Sequence, residues 1–309
     1  MATTTGGFSA LLAPGLYEVM FNAIDEQKPA WMPVIGSRDS KRAYEEDLKM
    51  TGLGSMVSKP EGTNITFDDP IIGDPKRYTM QSFGLGFRIT REMWDDDLYD
   101  IMNGMADELG RAAAYKIEVD AWSLLNNAFN PAFTGFDGLP LLHIAHTRLD
   151  GGANAANKPS TDVDFSYTAY QAGLDHFNTM KDDRGKPLVS IQPAIVVIDP
   201  TFQWAAREVL QSEYKPYTAN NEINPLKGEM SENGYLNCRY LTDSDSWFML
   251  AKPRKKNGKN GHDLKFWWRT KPETADADDF LSGDALFKIF CRYTTGFGEW
   301  RGVYGSSGG

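Results

Sequence analysis

From Leu98 to Leu125 apolar side chains recur every three or four residues. Leu98, Ile101, Met102, Met105, Leu109, Ala112 and Ala113 share one stripe, which Ile117, Ala121, Leu124 and Leu125 continue. That period predicts a single long amphipathic helix. The Thr90 hydroxyl is placed to cap it, Glu92, Asp95, Asp96 and Asp97 put negative charge at its positive end, and Asn130-Pro131 stops it. About thirty residues at 1.5 Å each make a strut of roughly 45 Å. Gly104 and Gly110 lie inside it, each costing about 1 kcal/mol relative to alanine. Close packing against a neighbour is the expected reason for both, and a bending point the alternative.

Near the C-terminus the period changes to two. In SGDALFKIFCRYTTGFGEWRGVYG, from Ser282 to Gly305, Phe287, Ile289, Cys291 and Tyr293 face one way and Lys288, Arg292 and Thr294 the other, the pattern of a half-buried strand. Gly296 and Gly298 bracket a turn at Phe297, so Glu299 to Tyr304 is expected to run back as the second strand of a hairpin beside the long helix. Between these regions, helix and strand signals alternate. Ser166 caps a helix through Tyr170, Leu174 and Phe177 that ends near Gly185, Ala194 to Ile198 is a continuous apolar strand, and a helix through Trp204 and Leu210 follows Pro200. Trp247 to Ala251 and Leu264 to Trp268 read as strands paired around a Lys- and Gly-rich loop. This is an α+β pattern without a dinucleotide or P-loop signature and without an internal repeat.

Two segments lack such patterning. Residues 1–47 form a sparse arm with Leu16, Met20, Phe21 and Ile24 at helical spacing, too little to fold alone. Met50 to Gln81 is a polar excursion punctuated by Pro60, Gly62, Pro70, Gly73 and Pro75, with strand-like pieces at Asn64–Phe67 and Arg77–Met80. Excursions of this length inside a folded chain are pinned by a partner or left disordered.

Composition narrows the function classes. A chain of 309 residues with 41% hydrophobic content buries a sizeable core. No apolar run is long enough to span a membrane, and MATTTGGFSALLAPGLYEVM lacks the basic start and cleavage pattern of a secretory signal, so folding in the cytosol is expected. Cys238 and Cys291 are far apart and outside any CxxC pair, and read as reduced core residues. A net charge of −10 and a pI near 5.0 argue against gripping nucleic acid by phosphate neutralisation. They are compatible with a container around DNA that carries its own counterions.

Candidate chemistry is thin, and no catalytic, cofactor-binding or metal-ligating residue is assigned. His143 and His146 form H-x-x-H, but only His176 and His262 remain as further histidines and no cysteine pair lies nearby. Gly84 and Gly86 make a bare GxG, which close strand packing explains. Asp95 to Asp97 suit the helix dipole, and Asp276, Asp278 and Asp279 suit a solvated turn. One basic cluster stands out in the acidic chain: Arg254, Lys255, Lys256 and Lys259, followed by His262 and interleaved with Asn and Gly. It reads as an exposed loop, either merely solvated or in contact with an acidic neighbouring copy or with DNA on the lumen side.

Several segments together resemble the Mu-like prophage major head subunit family: DGLPLLHIAHT (137–147), PAIVVIDPTFQWAAREVLQSEYKPYTANNEIN (193–224), LTDSDSWFML (241–250) and the closing GEWRGVYG. The likeness runs through nearly the whole chain in order. It implies the Hong Kong 97-type capsid fold of tailed phages, with an N-terminal arm at 1–47, an extended loop at 48–82, a peripheral domain with a long spine helix at 83–135, an axial domain at 136–271 and peripheral C-terminal strands at 272–309. The implied function is a non-enzymatic major capsid protein, self-assembling into the pentamers and hexamers of an icosahedral virion shell built in the bacterial cytoplasm. Its implied partners are further copies of itself, a scaffolding protein, a portal, a decoration protein and packaged double-stranded DNA bound without sequence specificity, and no membrane. An encapsulin-like protein compartment is the alternative within the fold, to be told apart by protein cargo. A cytosolic α+β hydrolase is the alternative outside it, to be told apart by a monomeric state with measurable turnover.

Overall fold

The chain runs from helix α1 (Ser9–Glu26) through strands β1 (Gly36–Asp39), β2 (Tyr44–Met50), β3 (Ile72–Thr79) and β4 (Gln81–Ile89) to a short helix α2 (Arg91–Asp95) and the long helix α3 (Tyr99–Asn126). Then come α4 (Tyr167–Thr179), β5 (Pro193–Ile198), α5 (Gln203–Gln211), β6 (Tyr235–Asn237), β7 (Trp247–Ala251), β8 (Leu264–Asp278), β9 (Ala285–Phe297) and β10 (Val303–Ser306). This computed structural model describes residues 9–26, 28–95, 99–216, 222–228, 234–255, 260–279 and 281–309. Asp96, Asp97 and Leu98 lie outside the described residues, as does the side chain of Ile101.

The apolar stripe of α3 meets its expected partner. Met102, Ala106 and Leu109 are buried with Phe287 and Ile289 of β9, and the Thr90 hydroxyl accepts from Met93 N–H at 3.4 Å, capping α2. Helix α1 covers the other flank through Leu16 and Met20. Its close approach explains Gly110, where a Cβ would sit 2.5 Å from the Met20 carbonyl oxygen and 2.9 Å from the Ala23 Cβ. Gly104 is different: it is exposed, with nothing within 4 Å of a Cβ placed there, so packing within the subunit does not account for it. Residues after α1 enter the body itself. Trp31, Val34 and Ile35 are fully buried, Ala30 N–H donates to the buried Glu118 of α3 at 2.7 Å, and β1 pairs in parallel with β8.

The body holds two four-stranded sheets. One has the order β1-β8-β9-β4 and the other β10-β7-β5-β6, while β2 and β3 pair only with each other. The alternation in β9 is as the sequence implies, with Phe287, Ile289, Cys291 and Tyr293 buried. Gly86 of β4 presses against it, where a Cβ would lie 2.6 Å from the Phe287 carbonyl oxygen.

Two expected pairings are not found. Trp247–Ala251 and Leu264–Trp268 lie in different sheets: β7 sits between β10 and β5, and β8 between β1 and β9. Both runs are buried at every position, and a strand covered on both faces belongs inside a sheet, where neighbours come from distant sequence. For the same reason the C-terminus is not a hairpin. β9 turns back from β8 instead, and β10 crosses into the other sheet to pair with β7. The helix expected to end near Gly185 ends at Thr179.

These packings separate the two helix glycines experimentally. In urea unfolding of dispersed subunits, Gly104→Ala is expected to stabilise by up to about 1 kcal/mol, and Gly110→Ala to destabilise by about 1–3 kcal/mol because it forces α1 off α3. Leu109→Ala should cost about 2–5 kcal/mol.

Candidate functional site

Besides the long helical connection from β4 to β5, two short crossings join the sheets, residues 252–263 from β7 to β8 and 298–302 from β9 to β10. Each needs a glycine. Gly261 has φ +109° and a Cβ there would lie 2.1 Å from the Lys252 carbonyl oxygen; Gly302 has φ +87° and backs onto His262 at 2.9 Å. The crossings carry Asp263, Glu299 and Arg301 inward, and Lys265 follows at the start of β8. There they meet Lys49 and Asp47 of β2 and Asp183 of the turn after α4.

The result is a buried ion network. Lys49 Nζ lies 3.2 Å from Asp183 and 3.4 Å from Glu299. Arg301 bridges the same two carboxylates at 3.1 and 2.8 Å and donates through Nε to the Lys181 carbonyl at 2.8 Å. Lys265 pairs with Asp263 at 2.8 Å and with Asp47, and the Glu299 N–H donates to Asp263 at 3.2 Å, joining the halves. With Arg254 beside Asp263 at 3.7 Å, the network sets four cations against four carboxylates along a cleft of about 400 Å³ that Arg38 and Asp182 also line. Burial alone would raise the Glu299 carboxyl; Arg301, Lys49 and Arg254 together outweigh it and hold it at about 2. Burial also favours neutral histidine nearby, pushing His262 down to about 3.

This network inverts β2. Glu45, Asp47 and Lys49 point inward, whereas Tyr44, Leu48 and Met50 are exposed. Beyond the β2–β3 pair the chain continues as a loop in which every residue from 55 to 70 is exposed. It is polar overall, yet Met56 is 95% exposed and Phe67 91%. Its base is held by the turn 182–186. Lys186 Nζ donates to the Leu53 and Gly54 carbonyls, both at 2.7 Å, and Arg184 donates to the Asp69 carbonyl at 2.7 Å.

Of the residues singled out from sequence, Arg254 joins this network and the other described ones fall elsewhere. Arg254 does not stand free on a solvated loop: its guanidinium lines the cleft and is 22% exposed. Lys255 is exposed, and Lys256 and Lys259 lie outside the described residues. His143 and His146 are near each other, but His146 is a core group. Its Nδ1 is 2.6 Å from Asp137 and its Nε2 3.0 Å from Asn157, and its ring stacks on Trp300 at 4.4 Å. Asp276 accepts from the Tyr17 hydroxyl, and Asp279 closes its own turn by accepting from Leu281 N–H. Sequence reasoning missed Lys49, Asp183, Glu299 and Arg301. The available signal was YEEDLKM, whose alternation puts Glu45, Asp47 and Lys49 on one face and Tyr44, Leu48 and Met50, with Glu46, on the other.

A family model described as phage capsid protein matches residues 73–306. Among solved structures, the capsid of cyanophage P-SCSP1u aligns with a TM-score of 0.58 at 11% identity, covering 88% of this chain and 86% of that one. The mature capsid of bacteriophage PhiM1 aligns with a TM-score of 0.59 at 10% identity over 89% and 85%. A virus-like particle from Pyrococcus furiosus aligns with a TM-score of 0.54 at 9% identity over 95% and 98%. No curated protein sequence matches. The fold is thus that of Hong Kong 97-type capsid subunits, α+β as the sequence implies.

The network sets an acid limit. Glu299 ionises more readily folded than unfolded, so its contribution is complete above about pH 4.5 and disappears as the pH falls toward 2. A shift of that size corresponds to roughly 3 kcal/mol. Glu299→Gln should therefore lower stability at pH 7 by about 3 kcal/mol and flatten the pH dependence between 4.5 and 2 in chemical unfolding. An unchanged acid limb would show that Glu299 is not the group that titrates.

Proposed function

The chain belongs to the phage capsid protein family, and from that premise we propose that it is the major head subunit of a Mu-like tailed phage. It is a structural capsid protein and not an enzyme. Copies close as pentamers and hexamers into an icosahedral shell around double-stranded DNA. The observation that carries this reading is the inside-out hairpin: apolar Leu48, Met50, Met56 and Phe67 stand exposed on a strand pair and loop whose inward face is charged. A surface so built is completed by a neighbouring copy. In this reading residues 48–82 are the extended loop, 1–47 the arm, 83–135 with 272–309 the peripheral domain around α3, and 136–271 the axial domain.

The Mu-like assignment rests on the resemblance of the segments at 137–147, 193–224 and 241–250 together with the closing GEWRGVYG. Assembly in the bacterial cytoplasm, with a scaffolding protein, a portal and a decoration protein as partners, follows from the same resemblance. DNA is held without sequence specificity, since an acidic subunit need only avoid adhering to it. Among the described residues no helix is long and apolar enough to cross a membrane. The Pyrococcus particle shares the fold, so fold alone does not separate a genome container from a protein compartment. The phage family model favours the former.

Negative-stain microscopy of the purified protein tests the reading, with shells, tubes or capsomer rings expected. Each subunit should bury on the order of 2,000–5,000 Å² in the assembly. Replacing residues 55–70 by a short Gly-Ser turn should leave soluble subunits that do not close, and normal particles from that variant would sink the proposal.

The basic loop calls for a separate measurement. Arg254 faces Asp263, so the variant changes only Lys255, Lys256 and Lys259 to serine. Assembly should slow at low salt, and the gap from wild type should close at 1 M, where the Debye length is about 3 Å. Unchanged assembly with lower DNA retention would place the loop in the lumen, and no change in either would leave it merely solvated.

A further inference from the structure

We propose that Arg184 and Lys186 are positioning residues of the extended loop, forming a releasable clasp that aims it before a neighbouring copy takes it up. The inference rests on the assembly role of that loop. Its basis is the division of labour within one five-residue turn, Asp182-Asp183-Arg184-Gly185-Lys186.

Asp183 points inward, where Lys49 and Arg301 neutralise it. Asp182 and Gly185 shape the turn: the Asp182 carboxylate accepts from the N–H groups of Arg184 and Lys186, both at 2.8 Å, and Gly185 takes φ +75°. So fixed, the turn presents Arg184 and Lys186 to the loop. Lys186 grips the outgoing leg through the Leu53 and Gly54 carbonyls. Arg184 grips the returning leg through the Asp69 carbonyl and lies 3.6 Å from the Asp68 carboxylate. Between the legs, Thr51 N–H donates to the Ile71 carbonyl at 3.0 Å, Ile71 N–H to the Thr51 hydroxyl at 2.9 Å, and Gly54 N–H to Asp68.

Solvent access distinguishes the clasp from the network below it. Lys49 and Arg301 are almost fully buried, so leaving either unpaired is costly. Arg184 is one-fifth exposed and its carboxylate partner Asp68 more so. Water can replace those bonds, so the outer grip opens at modest cost while the inner one holds. Because the acceptors are mostly main-chain carbonyls, the grip depends on where the legs run and little on their side chains. The loop is thereby kept from sampling directions in which its apolar groups meet the wrong surface.

The test is amide hydrogen exchange on dispersed full-length subunits, followed by assembly of the same preparations. In Arg184→Ser/Lys186→Ser, exchange at Thr51, Gly54 and Ile71 should accelerate by about tenfold or more. The global unfolding midpoint should stay near wild type, and Arg184→Lys/Lys186→Arg should restore protection. Particle closure should slow in the serine variant and recover in the conservative one. Unchanged exchange at those three amides, or acceleration spread evenly through the chain, overturns the clasp. Accelerated loop exchange with a normal closure rate overturns the positioning role. A wild-type protein that forms no particles counts against the shell reading alone, since exchange is measured on free subunits.

Discussion

Lys49, wedged between Asp183 and Glu299, ties a long exposed hairpin to the point where the two sheets meet. A buried cation tolerates no vacancy among its partners, and this sets the register of β2. Slipping the strand by one residue would turn Lys49 and Asp47 to solvent and press Leu48 and Met50 against Asp183, Glu299 and Arg301. The hairpin's exposed apolar face is therefore the other side of the constraint that anchors it. One interaction accounts both for why the loop stays attached and for why it offers a surface that the subunit itself cannot cover.

The rest of the fold supplies a stiff frame for that anchor. Strand β8 has 15 residues and β9 has 13, and α3 lies along them with Met102 and Leu109 against Phe287 and Ile289. An aromatic run crosses the sheet at the network's end. Trp31 stacks on Phe266 at 4.5 Å, Phe266 on Tyr293 at 4.9 Å, and Tyr293 on Phe83 at 4.6 Å. These rings join the segment after α1 to strands far apart in sequence. A frame of this kind holds its shape while the loop and its clasp adjust, which is what a subunit placed in slightly different surroundings requires.

Local periodicity made much of the frame legible. The α3 stripe and the β9 alternation record burial on one face, and one buried face leaves a period that a single sequence displays. The pairings of β7 and β10 were not legible, because strands covered on both faces carry no period that names a neighbour, and because, of the glycines at 296 and 298 that suggest a turn, Gly296 lies within β9 and Gly298 opens a crossing instead. The ion network was hidden for a related reason. Charge usually marks the solvent face, so nothing in the sequence singled out the inward turn of Glu45, Asp47 and Lys49 or the exposure of Leu48 and Met50 that the structure holds. Asp183 and Glu299 meet only after more than a hundred residues have been folded between them. The basic cluster was read correctly as charge, but Arg254 spends its charge on Asp263, which no spacing announces.

The balance inside the network has a consequence at the surface. Its eight charged groups, Lys49, Arg254, Lys265 and Arg301 against Asp47, Asp183, Asp263 and Glu299, cancel, so the net charge of −10 belongs to the remaining residues. That net charge makes copies of this chain repel one another at long range, so shell closure needs short-range contacts that outweigh the repulsion. Under the proposed role of the loop, exposed Met56 and Phe67 are one source of such contact, and an approach that seats them gains apolar burial that other approaches do not. A loop already aimed by its base loses less freedom on docking than a free one, which is the physical reason for a clasp beside an anchor that could hold alone.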